Sequence, residues 1–348
     1  MGPPRSLHRA CTFSLRGLPC RGSRPLSGHA RHKARWSSSQ PPVSKFVFPE
    51  DDGADPSALR HVRLDASLGA FPSYTSASDF QASLRQAFLD WKSAPTARAP
   101  SPLVISFTPT PTYTLGRRQK SLTPDQLARL RRPLDVKVNK GPADEGKVAT
   151  GDTGLEVQQQ FTPEVIETDR GGLTTYHGPG QVVLWPILDL RSVYYPHLTV
   201  RSYARLLEET TQAILTDGPS IHTYLSEEDP GVWAESARRR AGGQERKIAA
   251  MGVHLRRHIS GLGTALNVDV VVDGDEASNP WARFVPCGLE GKTATSVRAE
   301  VGEDVWEQWG AAGDGRAGRS WYARRWAEEL ARRLGVGIAP ATIHHCLG

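Results

Sequence analysis

Arg170-Gly171-Gly172-Leu173-Thr174-Thr175-Tyr176-His177-Gly178-Pro179-Gly180-Gln181 is the stretch on which the reading of this chain turns. Four glycines fall within ten residues, around a Tyr-His pair. A tight turn needs one or two glycines. A larger cluster lets the backbone come close to a ligand and aim N–H groups at it. The run Val182-Val183-Leu184-Trp185 follows, then Ile187-Leu188, and the segment Gln181 to Leu190 reads as a buried strand. The pattern matches neither GxxxxGK[ST] nor GxGxxG, which excludes those two phosphate-binding loops.

Two further segments carry chemistry. Lys247-Ile248-Ala249-Ala250-Met251-Gly252 opens an otherwise apolar strand with a lysine. Such a lysine either snorkels to water, the commoner case, or serves as a base when partly desolvated. Pro286-Cys287-Gly288 places a cysteine where the chain turns. A free cysteine is usually a small buried thiol, but beside a base it becomes a nucleophile. His344-His345-Cys346, on a terminal tail, makes a poor closed metal site.

Around these segments, strands and helices are mixed throughout without an internal repeat, which predicts one α/β domain over 60–348. Leu103–Phe107 reads as a buried strand, and Thr123 as the N-cap of a helix with Pro124 at its first position. A second helix starts at Thr199, with Val200, Tyr203, Leu206, Leu207 and Ile214 at helical spacing. Ile248–Leu255 suits a central strand. Leu266, Val268, Val270 and Val272 alternate with polar residues, as on a half-exposed strand. Ser320 is expected to cap a last helix whose stripe is Tyr322, Trp326, Leu330 and Leu334, ended by Gly335. Segments near 139–163, 236–246 and 310–319 have turn chemistry and no period, and read as loop insertions.

The formal net charge is +6, but residues 1–49 contain no Asp or Glu, and residues 1–40 hold eight Lys and Arg. Without that stretch the chain carries a net charge of −2, so the basic balance belongs to the leader and gives no support to nucleic-acid binding by the body. An Arg- and Ser-rich, acid-free leader without a long apolar run reads as an organellar transit peptide over 1–36, with a Pro- and Asp-rich linker over 37–59. No run of 18 apolar residues exists, so hydropathy predicts no transmembrane helix. The four cysteines form no CxxC pair and no disulfide framework.

Taken together, the RGG…TYHGPGQ run over 170–181, Tyr113-Thr114-Leu115-Gly116-Arg117, Lys247–Gly252, Ala265-Leu266-Asn267-Val268, Pro286-Cys287-Gly288 and Thr295-Ser296 stand in the order found in lipoyl(octanoyl) transferases. The resemblance covers roughly 100–335. It implies an α/β fold, a mixed sheet with flanking helices, like that of biotin protein ligase and lipoate ligase catalytic domains. It implies transfer of octanoyl from octanoyl-acyl carrier protein to a lysine of lipoyl domains, those of the glycine cleavage H protein and of 2-oxoacid dehydrogenase E2 subunits. This is the first step of protein lipoylation, here in the mitochondrial matrix. Cys287 takes the place of the acyl-thioester nucleophile and Lys247 that of the general acid/base. Arg170, Gly171, Gly172, Leu173, Thr174, Thr175, Tyr176, His177 and Gly178, with Gly263, Thr264 and Ala265, take the substrate-binding places. One position departs: Leu262 stands where the family usually has His in the Ser-x-His-Gly element.

The chemistry implied calls for no cofactor and no metal. Lys247, if neutral, takes the Cys287 proton, the thiolate attacks the donor thioester, and the acceptor amine then resolves the acyl-enzyme to an amide. A Lys–Cys ion pair is the other starting arrangement, and the sequence leaves both open. Backbone N–H groups near Gly178 and Gly288, with His177, are candidate oxyanion donors. Three rivals stand beside this reading: an ATP-dependent lipoate or biotin ligase, a lipoyl amidotransferase on the same fold, and an RNA-binding module.

Overall fold

The computed structural model describes residues 55–66, 71–95, 98–119, 121–140, 155–235, 244–284, 292–313 and 315–346, with backbone only at 139, 140, 155 and 346. The expected transit peptide, most of the linker, Pro286-Cys287-Gly288 and most of the 236–246 segment lie outside the described residues. All the described residues belong to the unit Val43–Gly348.

In chain order the elements are β1 (Arg60–Ala66), α1 (Tyr74–Ser93), β2 (Leu103–Phe107), β3 (Thr112–Leu115), α2 (Pro124–Leu130), β4 (Leu134–Lys140), β5 (Leu155–Phe161), β6 (Glu164–Glu167), β7 (Thr174–His177), β8 (Gln181–Ile187) and α3 (Val200–Asp217). There follow β9 (Thr223–Leu225), β10 (Gly231–Ala234), β11 (Glu245–Arg256), β12 (Ile259–Asn267), a 3₁₀ turn (Pro280–Arg283), β13 (Lys292–Ala294), α4 (Val297–Val301), α5 (Glu303–Ala312), α6 (Arg319–Leu334) and β14 (Thr342–Cys346). The main sheet runs β14-β1-β2-β8-β12-β11-β10-β9, with β13 beside the start of β11. It is mixed: β1 runs parallel to β2 and β14, and β13 runs parallel to β11, whereas the pairings from β2 through β8, β12, β11 and β10 to β9 are antiparallel. A three-stranded sheet, β6-β3-β7, and the hairpin β4-β5 complete the strands among the described residues.

Successive side chains of β2 and β8 point to opposite faces and are buried on both, so helices cover both faces of the main sheet. Val104, Val182 and Leu184 pack with α3 and α6 through Tyr203, Leu207, Ile214, Trp326 and Leu330. Leu103, Ile105, Val183 and Trp185 pack on the other face with Leu84 and Phe88 of α1. α2 carries the expected cap: the Thr123 Oγ1 accepts from Gln126 N–H, and Gln126 bonds back to Thr123 N–H. The stripe Tyr322, Trp326, Leu330, Leu334 is buried, and Gly335 ends the helix in the left-handed region.

Several expectations need correction. The 139–163 segment is not a plain loop, because Leu155–Phe161 pairs with Leu134–Lys140 as an antiparallel hairpin whose Leu134, Val136 and Val138 are buried. The 310–319 segment is helical up to Ala312, so only its second half is a connection. Its following helix begins at Arg319 with Gly318 as N-cap and no side-chain cap, rather than with Ser320. The strand through Leu266 ends at Asn267. Val268 and Val270 are buried beyond it, where the Val268 and Asp269 N–H groups both donate to the Gly180 carbonyl. Val200 is exposed, off the stripe made by Tyr203, Leu206, Leu207 and Ile214. Leu59, at the end of the expected linker, is fully buried and bridges Ile338, so the folded body includes it.

Candidate active site

The described motifs, at 113–117, 170–181, 247–252, 265–268 and 295–296, meet at one place. β3 pairs with β7, so Tyr113-Thr114-Leu115 lies against Thr174–His177. The Gln181 amide, at the start of β8, donates to the Asn267 Oδ1 at 2.7 Å, and the Asn267 Nδ2 donates to the Thr295 carbonyl at 2.8 Å. The Thr295 N–H donates in turn to the Lys247 carbonyl at 3.0 Å. A chain of hydrogen bonds thus ties the segments at 181, 267, 295 and 247 into one unit, and the buried amides of Gln181 and Asn267 fix its register.

A cavity of about 360 Å³ lies beside this unit. Its walls include Arg170, Gly171, Gly172, Leu173, Thr174 and Thr175 from the glycine-rich segment, His177 from β7, and Gly263, Thr264 and Ala265 from β12. Tyr176 and Gly178 do not line it. Because side chains alternate along β7, Thr175 and His177 face the cavity and Tyr176 faces away. Tyr176 packs instead against Tyr113 and Trp281, at ring-centroid distances of 5.4 and 5.8 Å. Leu262 lines the cavity with a positive φ of 59°, its N–H held by the Gln81 Oε1 at 3.1 Å. Sequence reasoning missed Tyr74, Val183, Trp185, Met251 and Val253, which supply much of the apolar wall. The alternation of β8 held a signal for Val183 and Trp185. Nothing local marks Tyr74, which arrives from α1.

Arg170 organises the turn. Its Nη2 donates to the Thr114 carbonyl at 2.6 Å, to the Thr114 Oγ1 at 2.9 Å and to the Leu173 carbonyl at 2.6 Å. Its Nη1 reaches the Gly171 carbonyl at 3.1 Å. One guanidinium therefore ties residues 170–173 to β3. Gly263 is needed on the opposite wall, since a Cβ there would stand 2.2 Å from the Leu184 carbonyl oxygen.

His177 is buried, and its Nδ1 has no hydrogen-bond partner among the described residues. Burial, with the Arg170 charge adding to it, holds the imidazole pKa down to about 3. The ring is neutral near pH 7, available as an N–H donor but not as a cation.

Lys247 stands at one end of the cavity, on β11. Its Nζ donates to the Pro230 carbonyl at 3.0 Å and lies 4.5 Å from the centre of the Trp233 ring. Lys292 approaches the same ring at 5.0 Å and is paired with Asp229 at 2.5 Å and Glu245 at 2.9 Å. A second, smaller space is lined by Lys247, Trp281 and Lys292. Trp281 and Lys292, which precede and follow the Cys287 segment in the chain, thus border the same space as Lys247, while Cys287 itself lies outside the described residues.

The arrangement is a slot, apolar toward Tyr74, Val183, Trp185 and Leu262; the β11–β12 register sets Val253 opposite Leu262 and so puts the amine of Lys247, earlier on β11, toward the other end. A model of the lipoyl protein ligase A/B catalytic domain matches residues 80–308. The chain is 30% identical over 242 residues to a probable octanoyltransferase of Schizosaccharomyces pombe, covering 69% of this chain and 87% of that one. It is 29% identical over 208 residues to the mitochondrial octanoyltransferase of Saccharomyces cerevisiae, covering 58% of this chain and 54% of the relative. It also aligns at 12% identity and a TM-score of 0.49 with an archaeal bipartite lipoate protein ligase from Thermoplasma acidophilum, covering 82% of this chain and 88% of that one. This chain belongs to the lipoyl protein ligase A/B catalytic domain family. The chain spans about half the length of several of the curated relatives it matches, the budding-yeast protein among them.

Proposed function

We propose that this protein is an octanoyltransferase of protein lipoylation, moving octanoyl from octanoyl-acyl carrier protein to a lysine of a lipoyl domain. The observation that carries the reading is the slot itself: an apolar wall of Tyr74, Val183, Trp185 and Leu262 joined to an end that holds Lys247. An eight-carbon chain suits such a wall, because each buried methylene stabilises the complex by about 0.8 kcal/mol. The octanoyltransferase names of the yeast relatives support the same reading, and the mitochondrial name of one of them agrees with the composition of the leader.

In the reaction, Cys287 loses its proton to Lys247 and attacks the donor thioester. The carrier thiol leaves with a proton, and octanoyl remains on the Cys287 sulfur. The acceptor amine then attacks this thioester, Lys247 takes a proton from it, and the Cys287 thiolate is released with the amide formed. Arg170–Thr175 and Gly263–Ala265 wall the acyl chain. The neutral His177 ring and the backbone N–H groups near Gly178 and Gly288 donate to the oxyanion. The donor and acceptor meet the enzyme in the mitochondrial matrix, after removal of the 1–36 leader.

The test is incubation with octanoyl-acyl carrier protein and an H protein or E2 lipoyl domain, followed by intact mass of the acceptor. Octanoylated acceptor without ATP is the expected product. Acceptor modified only when free octanoate and ATP are supplied would replace this reading with that of a ligase.

A further inference from the structure

Glu208 lies on α3, outside every motif quoted from the sequence, and is buried. Its Oε1 accepts from the Gly231 N–H at 2.9 Å. The carbonyl of the same peptide unit belongs to Pro230, and that oxygen accepts from the Lys247 Nζ at 3.0 Å. A single peptide group therefore stands between a buried carboxyl and the site lysine, with its N–H toward the one and its C=O toward the other. We propose that Glu208 is a positioning residue for Lys247, acting through the Pro230–Gly231 peptide. A carboxylate on the N–H side polarises the peptide and strengthens its carbonyl as an acceptor. The amine is thereby held at the end of the slot until substrate displaces the contact.

Three observations agree. Gly231 has a φ of +129°, and a Cβ there would come within 2.6 Å of the Ala249 carbonyl oxygen and 3.4 Å of the Lys247 Cδ and Cε. Glycine at 231 thus lets this peptide approach the lysine stem. Burial raises the Glu208 carboxyl above the ordinary carboxylate range, while the Gly231 N–H and the charges of Arg205 and Lys247 pull it back. Other charges face the pair. Arg205 and Glu209 lie on α3 beside Glu208, while Asp229 and Lys292 adjoin the Trp233 ring over which Lys247 lies, and Glu245 pairs with Lys292. The carboxylates of Asp229 and Glu245 are paired to Lys292, and Glu208 is joined to Lys247 through the Pro230–Gly231 peptide.

The inference deepens the proposed reaction and rests on it, so the test has one readout independent of activity. Glu208→Gln keeps the oxygen that accepts from Gly231 and removes the charge. Competitive acetylation of the folded protein across pH, read by peptide mass spectrometry, reports the reactive fraction of Lys247. In Glu208→Gln that fraction rises about threefold at a fixed pH below the titration midpoint, a shift of about half a pH unit. The acidic limb of the octanoyl-transfer rate moves the same way, and the melting temperature stays close to that of the parent. Unchanged labelling of Lys247 in a folded Glu208→Gln variant overturns the inference. An inactive parent protein whose labelling nevertheless shifts would instead remove the proposed reaction and leave the Glu208–Lys247 link standing. Should Glu208→Gln fail to fold, Glu208→Asp, which keeps the charge and shortens the reach, must lower the parent's transfer rate while leaving the labelling midpoint within about 0.2 pH units of the parent (about 1.6-fold); a larger displacement overturns the inference.

Discussion

Arg170→Met removes every hydrogen bond that holds the 170–173 turn through this side chain, while keeping a stem of similar length over the wall. The guanidinium donates to four acceptors, the Thr114 and Leu173 carbonyls at 2.6 Å, the Thr114 hydroxyl and the Gly171 carbonyl. Hydrogen bonds from a charged donor contribute about 1.5–3 kcal/mol each when their acceptors are buried. The turn is half-exposed, so water replaces part of that loss. Counting the two short carbonyl bonds at the low end gives about 3 kcal/mol in favour of the closed turn. At about 1.4 kcal/mol per tenfold, the closed form becomes about a hundredfold less favoured. The Gly116, Arg117 and Arg118 N–H groups donate to the carbonyls of Leu173, Arg170 and Gly172, so their amide hydrogen exchange reports the turn directly. In Arg170→Met these three amides exchange about a hundredfold faster, and kcat/KM for octanoyl transfer falls by a comparable factor. Arg170→Lys, a single donor group without the fork, falls between. Exchange and kcat/KM both within threefold of the parent, in a folded Arg170→Met protein, would refute the role given to this side chain.

Other outcomes depend on single residues. Gly263→Ala drives a Cβ to 2.2 Å from the Leu184 oxygen, so the β8–β12 pairing must give way. The melt should drop by several degrees and the apolar wall should lose its acyl ligand, measured by thermal unfolding and by binding of octanoate. His177 has a folded pKa of about 3 against 6.5 when exposed, so between these values the unfolded chain takes up a proton that the folded one does not. Its contribution is fully present above about pH 6.5 and is lost as the pH falls toward 3, with a slope of at most about 1.4 kcal/mol per unit. His61, buried and lowered to about 4, acts in the same direction. Urea unfolding at pH 7.5 and 4.5 should show a smaller loss in His177→Gln than in the parent, and an equal loss would remove this explanation.

The parts of the fold that the residues disclosed are those whose local signals agree. α2 has its Thr123 cap, Pro124 and Gln126 within four residues, and α6 has an unbroken stripe from Tyr322 to Leu334. β2 and β8 are apolar on both alternations because helices cover both faces. The hairpin β4-β5 was hidden for a different reason. Its second strand, Leu-Glu-Val-Gln-Gln-Gln-Phe, holds three glutamines that obscure the alternation, and pairing with β4 supplies what local propensity lacks. The site divides in the same way. The glycine-rich segment and Lys247 stand out as residues of unusual type in unusual company. Tyr74 and Glu208 reach the site from helices distant in sequence, and only tertiary packing reveals them. Tyr176 shows the limit of motif reading: it sits inside the motif, yet the period of β7 turns it toward the aromatic cluster of Tyr113 and Trp281.

The central claim is that octanoyl passes through the sulfur of Cys287. Intact mass of the protein after brief exposure to octanoyl-acyl carrier protein, without acceptor, tests it most directly. The parent should gain one octanoyl group, chased off by a lipoyl domain, and Cys287→Ala should gain none and transfer none. Transfer by Cys287→Ala at a rate near the parent's would contradict it.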